Sequence, residues 1–283
     1  MFDWEDLRHF GTLAREGSLS AAARRLKVDH VTVARRVAAL EASLSLKLVD
    51  RRPRVYALTG DGARVATFAA QMEEQALALA RAVRAAQPDL AGEVIISAPP
   101  ALASALIAPR LRALRERHPA IHILLMGEKR DASLSRREAD LAVRLNRPTE
   151  KKLIARKIGA FAFALYASPA YLSQRPVAAW EFIAYDEGMD GSPQQQWLKT
   201  IAGDRPIVFR TNDLESQRAA ARAGVGVAAL PSFVGEGADG LRRVEIGARP
   251  ITRDVWLLVH SDLRCAPSVR AVMDFLVASL GPD

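Results

Sequence analysis

Nine arginines and lysines crowd the 37 residues from Ser20 to Tyr56: Arg24, Arg25, Lys27, Arg35, Arg36, Lys47, Arg51, Arg52 and Arg54. Asp29, Glu41 and Asp50 oppose them, which leaves +6 of the chain's formal +8 in this one segment. Such a surface attracts a polyanion, since each cation placed at a phosphate releases a condensed counterion. The plain alternative is a solvated basic face. Groups with catalytic chemistry are much sparser. Gly224-x-Gly226-x-x-Ala229 imitates a dinucleotide fingerprint, which must follow a strand and open a helix. Here the surrounding pattern is the reverse, so the glycines read as a helix end and close packing. His118 and His122 are four apart, but Pro119 keeps them from sharing a helical face for a metal. Cys265 is the chain's one cysteine and has no resolving partner within it. With no Ser/His/Asp constellation and no P-loop, the expectation is a non-enzyme without metal or cofactor.

The elements around the basic segment are short helices. Leu7, Phe10, Leu13 and Ala14 recur at helical spacing, and Gly17 ends that helix. Ser20 is placed to cap a second helix over Ala21–Lys27, and Asp29 to cap a third with Val33, Val37, Leu40 and Leu44 on one face. Two short helices joined by Val28-Asp29 make a helix-turn-helix, and its alanines allow close crossing. Leu46–Asp50 and Val55–Leu58 then flank Arg51-Arg52-Pro53-Arg54 as two strands around a basic turn, a wing. From Thr59 to Ala86 the spacing predicts one long helix, capped by Thr59. Its stripe of Val65, Phe68, Met72, Ala76, Leu79 and Val83 needs a partner, either its own copy or the chain's C-terminal part.

Beyond Leu90, strand and helix patterns alternate. Strands are predicted at 94–97, 121–126, 140–145, 161–166, 182–185, 207–210, 225–230 and 255–259. Helices are predicted at 102–117, 134–139, 194–201, 213–223 and 267–280. This is an α/β arrangement of parallel sheets with ligands at the strands' carboxyl ends. Apolar residues make up 49% of the 283 residues and charged ones 25%, which suits globular domains with full cores and excludes disorder. No run approaches the roughly 18–20 apolar residues that span a bilayer. The opening Met1–Phe10 carries acids where an export signal carries positive charge. A cytoplasmic location with no membrane partner is therefore expected.

The run Gly17-Ser18-Leu19-Ser20-Ala21-Ala22-Ala23-Arg24-Arg25-Leu26-Lys27-Val28, then Val33–Glu41, Leu46–Arg51 and Leu58–Gly62, resembles the winged helix-turn-helix of LysR-type transcriptional regulators. The likeness continues in order through Pro109–Pro119, Glu138–Ala142, Ala167–Leu172 and Ala223–Pro231, which resemble that family's effector domain. The resemblance implies an N-terminal all-α winged helix-turn-helix over 1–59, a dimerising linker helix over 60–88 and an effector domain over 89–283. That last domain would be two Rossmann-like lobes of periplasmic-binding-protein type, lobe one 90–160 with 264–283 and lobe two 161–263. The partners implied are double-stranded DNA, a small-molecule effector, a second copy or a tetramer, and RNA polymerase. A solute-binding protein with an accessory basic domain is the alternative, and it leaves the +6 segment without a role.

On this reading the third helix enters the major groove. The residues assigned to DNA are Ser20, His30, Val31, Thr32, Arg35 and Arg36, with Arg51, Arg52 and Arg54 on phosphates or the minor groove. Arg35 suits a bidentate guanine contact. The family commonly opens this helix Ser-Gln-Pro or Ser-Gln-Ser, whereas Asp29-His30-Val31 stands here. For the effector, Pro99 and Pro100 precede a helix whose N–H groups at Ala101, Leu102 and Ala103 face the cleft. Thr211 and Asn212 open another, with Asn212 as cap and Glu215 as its reciprocal partner. Arg144 and Asn146 end the third strand. Two helix N-termini meeting at a cleft favour a small carboxylate; the alternative for Arg144 is a structural ion pair with Asp131 or Asp213.

Overall fold

A computed structural model describes residues 1–50, 57–85, 90–128, 139–148, 153–237, 239–245 and 249–281. It divides into two units, Met1–Val83 and Arg84–Asp283. The first unit opens with α1 (Trp4–Glu16), α2 (Leu19–Leu26) and α3 (His30–Leu44). Next come the paired strands β1 (Val49–Asp50) and β2 (Ala57–Leu58), and the long helix α4 (Gly60–Ala85). Local chemistry sets each helix end. Gly17 takes φ 72°, a left-handed cap that other residues adopt only with strain. The second helix is capped by Ser18, not Ser20: Ser18 is extended and its hydroxyl accepts from Ala21 N, while Ser20 lies exposed in the first turn. Starting two residues earlier brings Leu19 onto the core. Leu7, Phe10, Leu13, Val33, Val37 and Leu40 are buried together, and Ala22 and Ala23 let α2 cross closely. Each such large apolar side chain contributes about 1.5–3 kcal/mol of burial.

Only part of the α4 stripe joins this core. Val65, Ala66 and Ala69 pack on it, while Phe68, Met72, Leu79 and Val83 stay exposed at 63%, 42%, 67% and 57%. Arg15 on α1 pairs with Glu73 at 2.7 Å, fixing α4 against α1.

The second unit holds a nine-stranded sheet and its helices. In chain order these are β3 (Gly92–Ala98), α5 (Pro100–Leu102), α6 (Leu111–Arg117), β4 (Ile121–Gly127), β5 (Leu141–Arg144), β6 (Leu153–Ala167), α7 (Pro169–Gln174), β7 (Phe182–Tyr185) and α8 (Pro193–Ala202). They continue with β8 (Ile207–Thr211), α9 (Leu214–Arg222), β9 (Val227–Pro231), α10 (Ser232–Gly235), β10 (Arg242–Val244), β11 (Ile251–His260) and α11 (Pro267–Leu280). A π turn (Ala103–Ile107) and a 3₁₀ turn (Ala108–Arg110) make 100–117 one helical stretch. That stretch starts two residues ahead of the expected Leu102, because Pro100 is preset for a first helical turn.

Strand order is β4-β3-β5-β11-β6-β9-β7-β8, with β10 beside β6. The outer strands of both lobes run parallel, as expected, but β11 is antiparallel to β5 and β6. The long pair β6 and β11 passes from one lobe to the other, and a chain that crosses and returns must run in opposite senses. The register shifts between Val255 and Trp256, where Trp256–Val259 begin to pair with β5. The return crossing therefore lies inside β11, not at the expected 263–264. Cys265 follows β11 and is exposed. Val94, Ile96, Leu141, Val143 and Leu257 of lobe one pack under Val269, Val272 and Leu276 of α11. Phe182, Ala184 and Val227 of lobe two pack against Tyr171, Trp180 and Leu198. Most of the helix expected over 134–139 lies outside the described residues.

Candidate functional site

The third helix presents two kinds of side chain. Val33, Val37 and Leu40 face the core, so His30, Val31 and Arg35 project outward, all exposed. Asp29 caps the helix as expected, its carboxylate accepting from Thr32 N at 2.6 Å and from Thr32 Oγ1 at 2.9 Å. The Thr32 hydroxyl thus serves the cap rather than projecting freely. Arg36 departs further from the DNA-facing assignment. Its Nη1 donates to Asp6 at 3.0 Å and lies 3.5 Å from Asp3, tying α3 to α1. The bond to Asp6 raises the Arg36 pKa above its ordinary value. Arg35, one residue earlier and so about 100° round the helix, is exposed. Arg24 and Lys27 on the preceding helix are exposed too. The wing residues Arg51, Arg52 and Arg54 lie outside the described residues.

The Thr32 bonds hold the Asp29 carboxyl below the usual carboxylate range. A depressed folded pKa stabilises the helix start fully above the unfolded value near 4, and that contribution is lost as pH falls through the folded value. Asp29→Ala is therefore expected to lower the unfolding midpoint of the N-terminal unit at pH 7. Its midpoint, followed by circular dichroism, should converge with the wild type's as pH falls through the depressed folded value. A gap that persists in acid would mean the carboxylate is not the cap.

Sequence reasoning missed Glu41. It is buried in the last turns of α3, and its Oε1 accepts from Leu48 N at 2.8 Å and Val49 N at 3.2 Å. From the other side, Thr59 N donates to Leu48 O at 3.0 Å and Thr59 Oγ1 donates to Lys47 O at 2.6 Å. Thr59 also caps α4 by accepting from Gly62 N. A Cβ on Gly62 would collide with the Leu48 carbonyl, so only glycine allows this approach. The residues joining helix-turn-helix, wing and linker helix are thus clamped together.

In the second unit a cavity of about 930 Å³ opens between the lobes. Pro99, Pro100, Ala101, Leu102, Arg144, Asn146 and Asn212 line it. Thr211 does not; its hydroxyl accepts from Asp213 N and orders the turn. Ala103 N donates to Pro99 O, so it is not a free donor as expected, whereas Ala101 and Leu102 have no earlier helical carbonyl to reach. The α9 cap is Asp213, not Asn212: Asp213 accepts from Ser216 N at 2.9 Å and from Ser216 Oγ at 2.8 Å. Glu215 pairs with Arg218 rather than closing a capping box, because Arg218 lies one turn on along the same face. Arg144 is buried, and donates from Nη1 to Ser97 O (3.0 Å) and Val143 O (2.8 Å) and from Nη2 to Ser97 Oγ (2.9 Å). The walls mix polar groups with apolar ones, Phe161, Phe163 and Phe233 among the latter. Burial pushes the Tyr185 hydroxyl up to about 12, with the Asp213 charge adding to it and Arg253 opposing, so this cavity phenol stays neutral at physiological pH. Among the described residues no cluster of His, Cys, Asp or Glu could hold a metal, and no helix is long and apolar enough to cross a membrane.

A basic helix-turn-helix joined to a two-lobed, cavity-bearing α/β domain defines a DNA-binding regulator that responds to a small molecule. Two family descriptions match the chain: "Bacterial regulatory helix-turn-helix protein, lysR family" over residues 4–63 and "LysR substrate binding domain" over residues 87–281. The chain belongs to the LysR-type transcriptional regulators. It is 28% identical over 286 residues to the Mau operon transcriptional activator of Paracoccus denitrificans, covering 96% of this chain and 95% of that one. It is 30% identical over 226 residues to the AhcY transcriptional activator HvrB of Rhodobacter capsulatus, covering 78% and 77%. In fold it is similar to the full-length Vibrio cholerae virulence activator AphB (24% identity, TM-score 0.65, 99% and 100% covered). It is also similar in fold to CrgA from Neisseria meningitidis (24%, TM-score 0.60, 100% of both chains). These relatives are transcriptional regulators. Regulators of this family bind DNA through the helix-turn-helix, bind small-molecule effectors and form oligomers.

Proposed function

We propose that this regulator reads a two-fold operator with α3 of two copies held together along α4. His30, Val31 and Arg35 would meet base edges, and Arg51, Arg52 and Arg54 phosphates or the minor groove. A small anionic effector in the cavity between the lobes would change the spacing of the paired DNA-binding domains, through a dimer or tetramer, and so alter contact with RNA polymerase. The protein would do this in the cytoplasm, without catalysis. The observation that carries the reading is Arg35: exposed on a capped helix, with no partner among the described residues, beside an Arg36 already committed to Asp6.

The dimer rests on the exposed Phe68, Met72, Leu79 and Val83 along one helix. A chain carrying Phe68→Glu and Leu79→Glu is expected to sediment as a monomer at micromolar concentration. Its DNase I footprint on the DNA upstream of its own coding sequence should be lost, where the wild type protects two half-sites about one helical turn or a multiple apart. An unchanged sedimentation coefficient would remove α4 as the interface.

A further inference from the structure

Arg253 stands on β11 just before the register shift where the chain returns to lobe one, and it is 7% exposed. Its guanidinium donates to the carboxamide oxygen of Gln194 on α8, in lobe two. From Nη2 it donates to Asn146 Oδ1 at 2.5 Å and to Leu145 O at 3.1 Å, both just past β5 in lobe one. All three acceptors are neutral. Among the described residues no carboxylate pairs with it, and Asp254 is taken by Lys157 at 2.6 Å. Burial holds the Arg253 pKa below the ordinary arginine value, with Tyr185 and Asp254 opposing. Among the described residues this buried cation has no counter-ion, a costly arrangement unless something offsets it.

The arginine also fixes which way the two carboxamides face. A guanidinium only donates, so each amide must turn its oxygen toward it and its NH₂ away. Gln194 and Asn146 both line the cavity. Gln194 is 96% buried by its 4% exposure, yet its Nε2 donates to no described group. Two N–H donors, one from each lobe, therefore stand in the cavity wall with a positive charge behind them. The ionised groups of the wall itself balance: Arg144, Arg147 and Arg218 against Glu128, Asp213 and Glu215. Among the described residues, the charge that remains beside the cavity is that of Arg253.

We propose that Gln194 and Asn146, aligned and polarised by Arg253, form the carboxylate seat of the cavity, and that the ligand is an acid with an apolar body. This rests on the reading of the cavity as the effector site and names its chemistry. The apolar body would lie against Phe161, Phe163 and Phe233, in a volume far larger than a bare carboxylate fills. Because the seat takes one donor from each lobe, its occupant bridges the lobes. Arg253 is a positioning residue here, and Gln194 and Asn146 touch the ligand.

The test uses the full chain and three matched pairs: 3-phenylpropionate, cyclohexanecarboxylate and octanoate, each beside its primary amide, titrated calorimetrically. At least one acid is expected to bind about tenfold or more tightly than its amide, charge-assisted bonds being the stronger ones. Gln194→Met, close in shape, should weaken that acid about tenfold. Arg253→Met should erase the preference for acid over amide, and Arg253→Lys should retain part of it. If Arg253→Met does not fold, Gln194→Met and Asn146→Ala still decide. Acids and amides binding alike, or neither binding, overturns the seat. If the wild type then still protects two half-sites of its upstream DNA, only the seat has failed; loss of that footprint as well would remove the regulator reading on which it stands.

Discussion

Arg35→Ala is expected to weaken binding to the operator by about 1–3 kcal/mol, roughly 5- to 150-fold, the scale of one bidentate guanine contact. Binding to random DNA of the same length should fall much less, since that term is carried by phosphate contacts. The effect belongs to Arg35 because it is exposed and unpaired among the described residues, on the outward face of a helix whose other face is core. Its neighbour supplies the control. Arg36 has the same charge but holds α1 through Asp6 and Asp3, so Arg36→Ala should lower the thermal stability of the first unit and leave the operator preference largely intact. Anisotropy titrations with operator and scrambled duplexes at one salt concentration separate the two. Equal loss on both duplexes for Arg35→Ala would show that it contacts phosphate or nothing.

This contrast shows what a sequence can disclose. Apolar spacing fixes which face of α3 is buried, and the facing row follows; that much was legible, down to the caps at Gly17, Asp29 and Thr59. Caps were read correctly where one polar residue stood alone before a helix. They were misread where two competed, as with Ser18 and Ser20 or Asn212 and Asp213, since the choice depends on which register buries the next apolar residue. Lys27 and Ser45 end their helices with left-handed φ of 57° and 55°, positions usually marked by glycine. They left no signal in composition.

Long-range polar partners were invisible for a different reason. Asp6 lies 30 residues from Arg36, and Asn146 lies 107 from Arg253. Nothing local distinguishes a cation that will be buried from one that will be solvated. The first half of β6, Leu153–Ala160, lies outside the strand expected from sequence, because it mixes charges with apolar residues and owes its extension to pairing with β11. In the cavity, the sequence pointed to Arg144 and two helix starts. The structure adds Gln194 and Arg253, whose relevance exists only after the lobes are folded together.

The largest stability loss is expected at Glu41. Glu41→Leu fits an apolar side chain into an almost dry site but leaves Leu48 N and Val49 N without their acceptor. Each buried unsatisfied N–H costs roughly 1–3 kcal/mol, so the first unit should lose about 3 kcal/mol. Glu41→Gln keeps an oxygen that can accept one of the bonds and should cost about 1 kcal/mol. Urea titration followed by the anisotropy of labelled operator reports this unit specifically, and the Leu variant should lose DNA at clearly lower urea. The stakes exceed stability, because the same backbone at Lys47 and Leu48 is held by Thr59 and touched by Gly62 at the start of α4. Glu41 thus joins the helix proposed to meet DNA to the helix that carries the exposed apolar stripe. Residual operator binding by Glu41→Leu in water should therefore show relaxed dependence on half-site spacing, since the two helices are no longer held at one angle. A variant with the wild-type urea midpoint and wild-type spacing preference would show that the carboxylate is dispensable and that the apolar core alone fixes the joint.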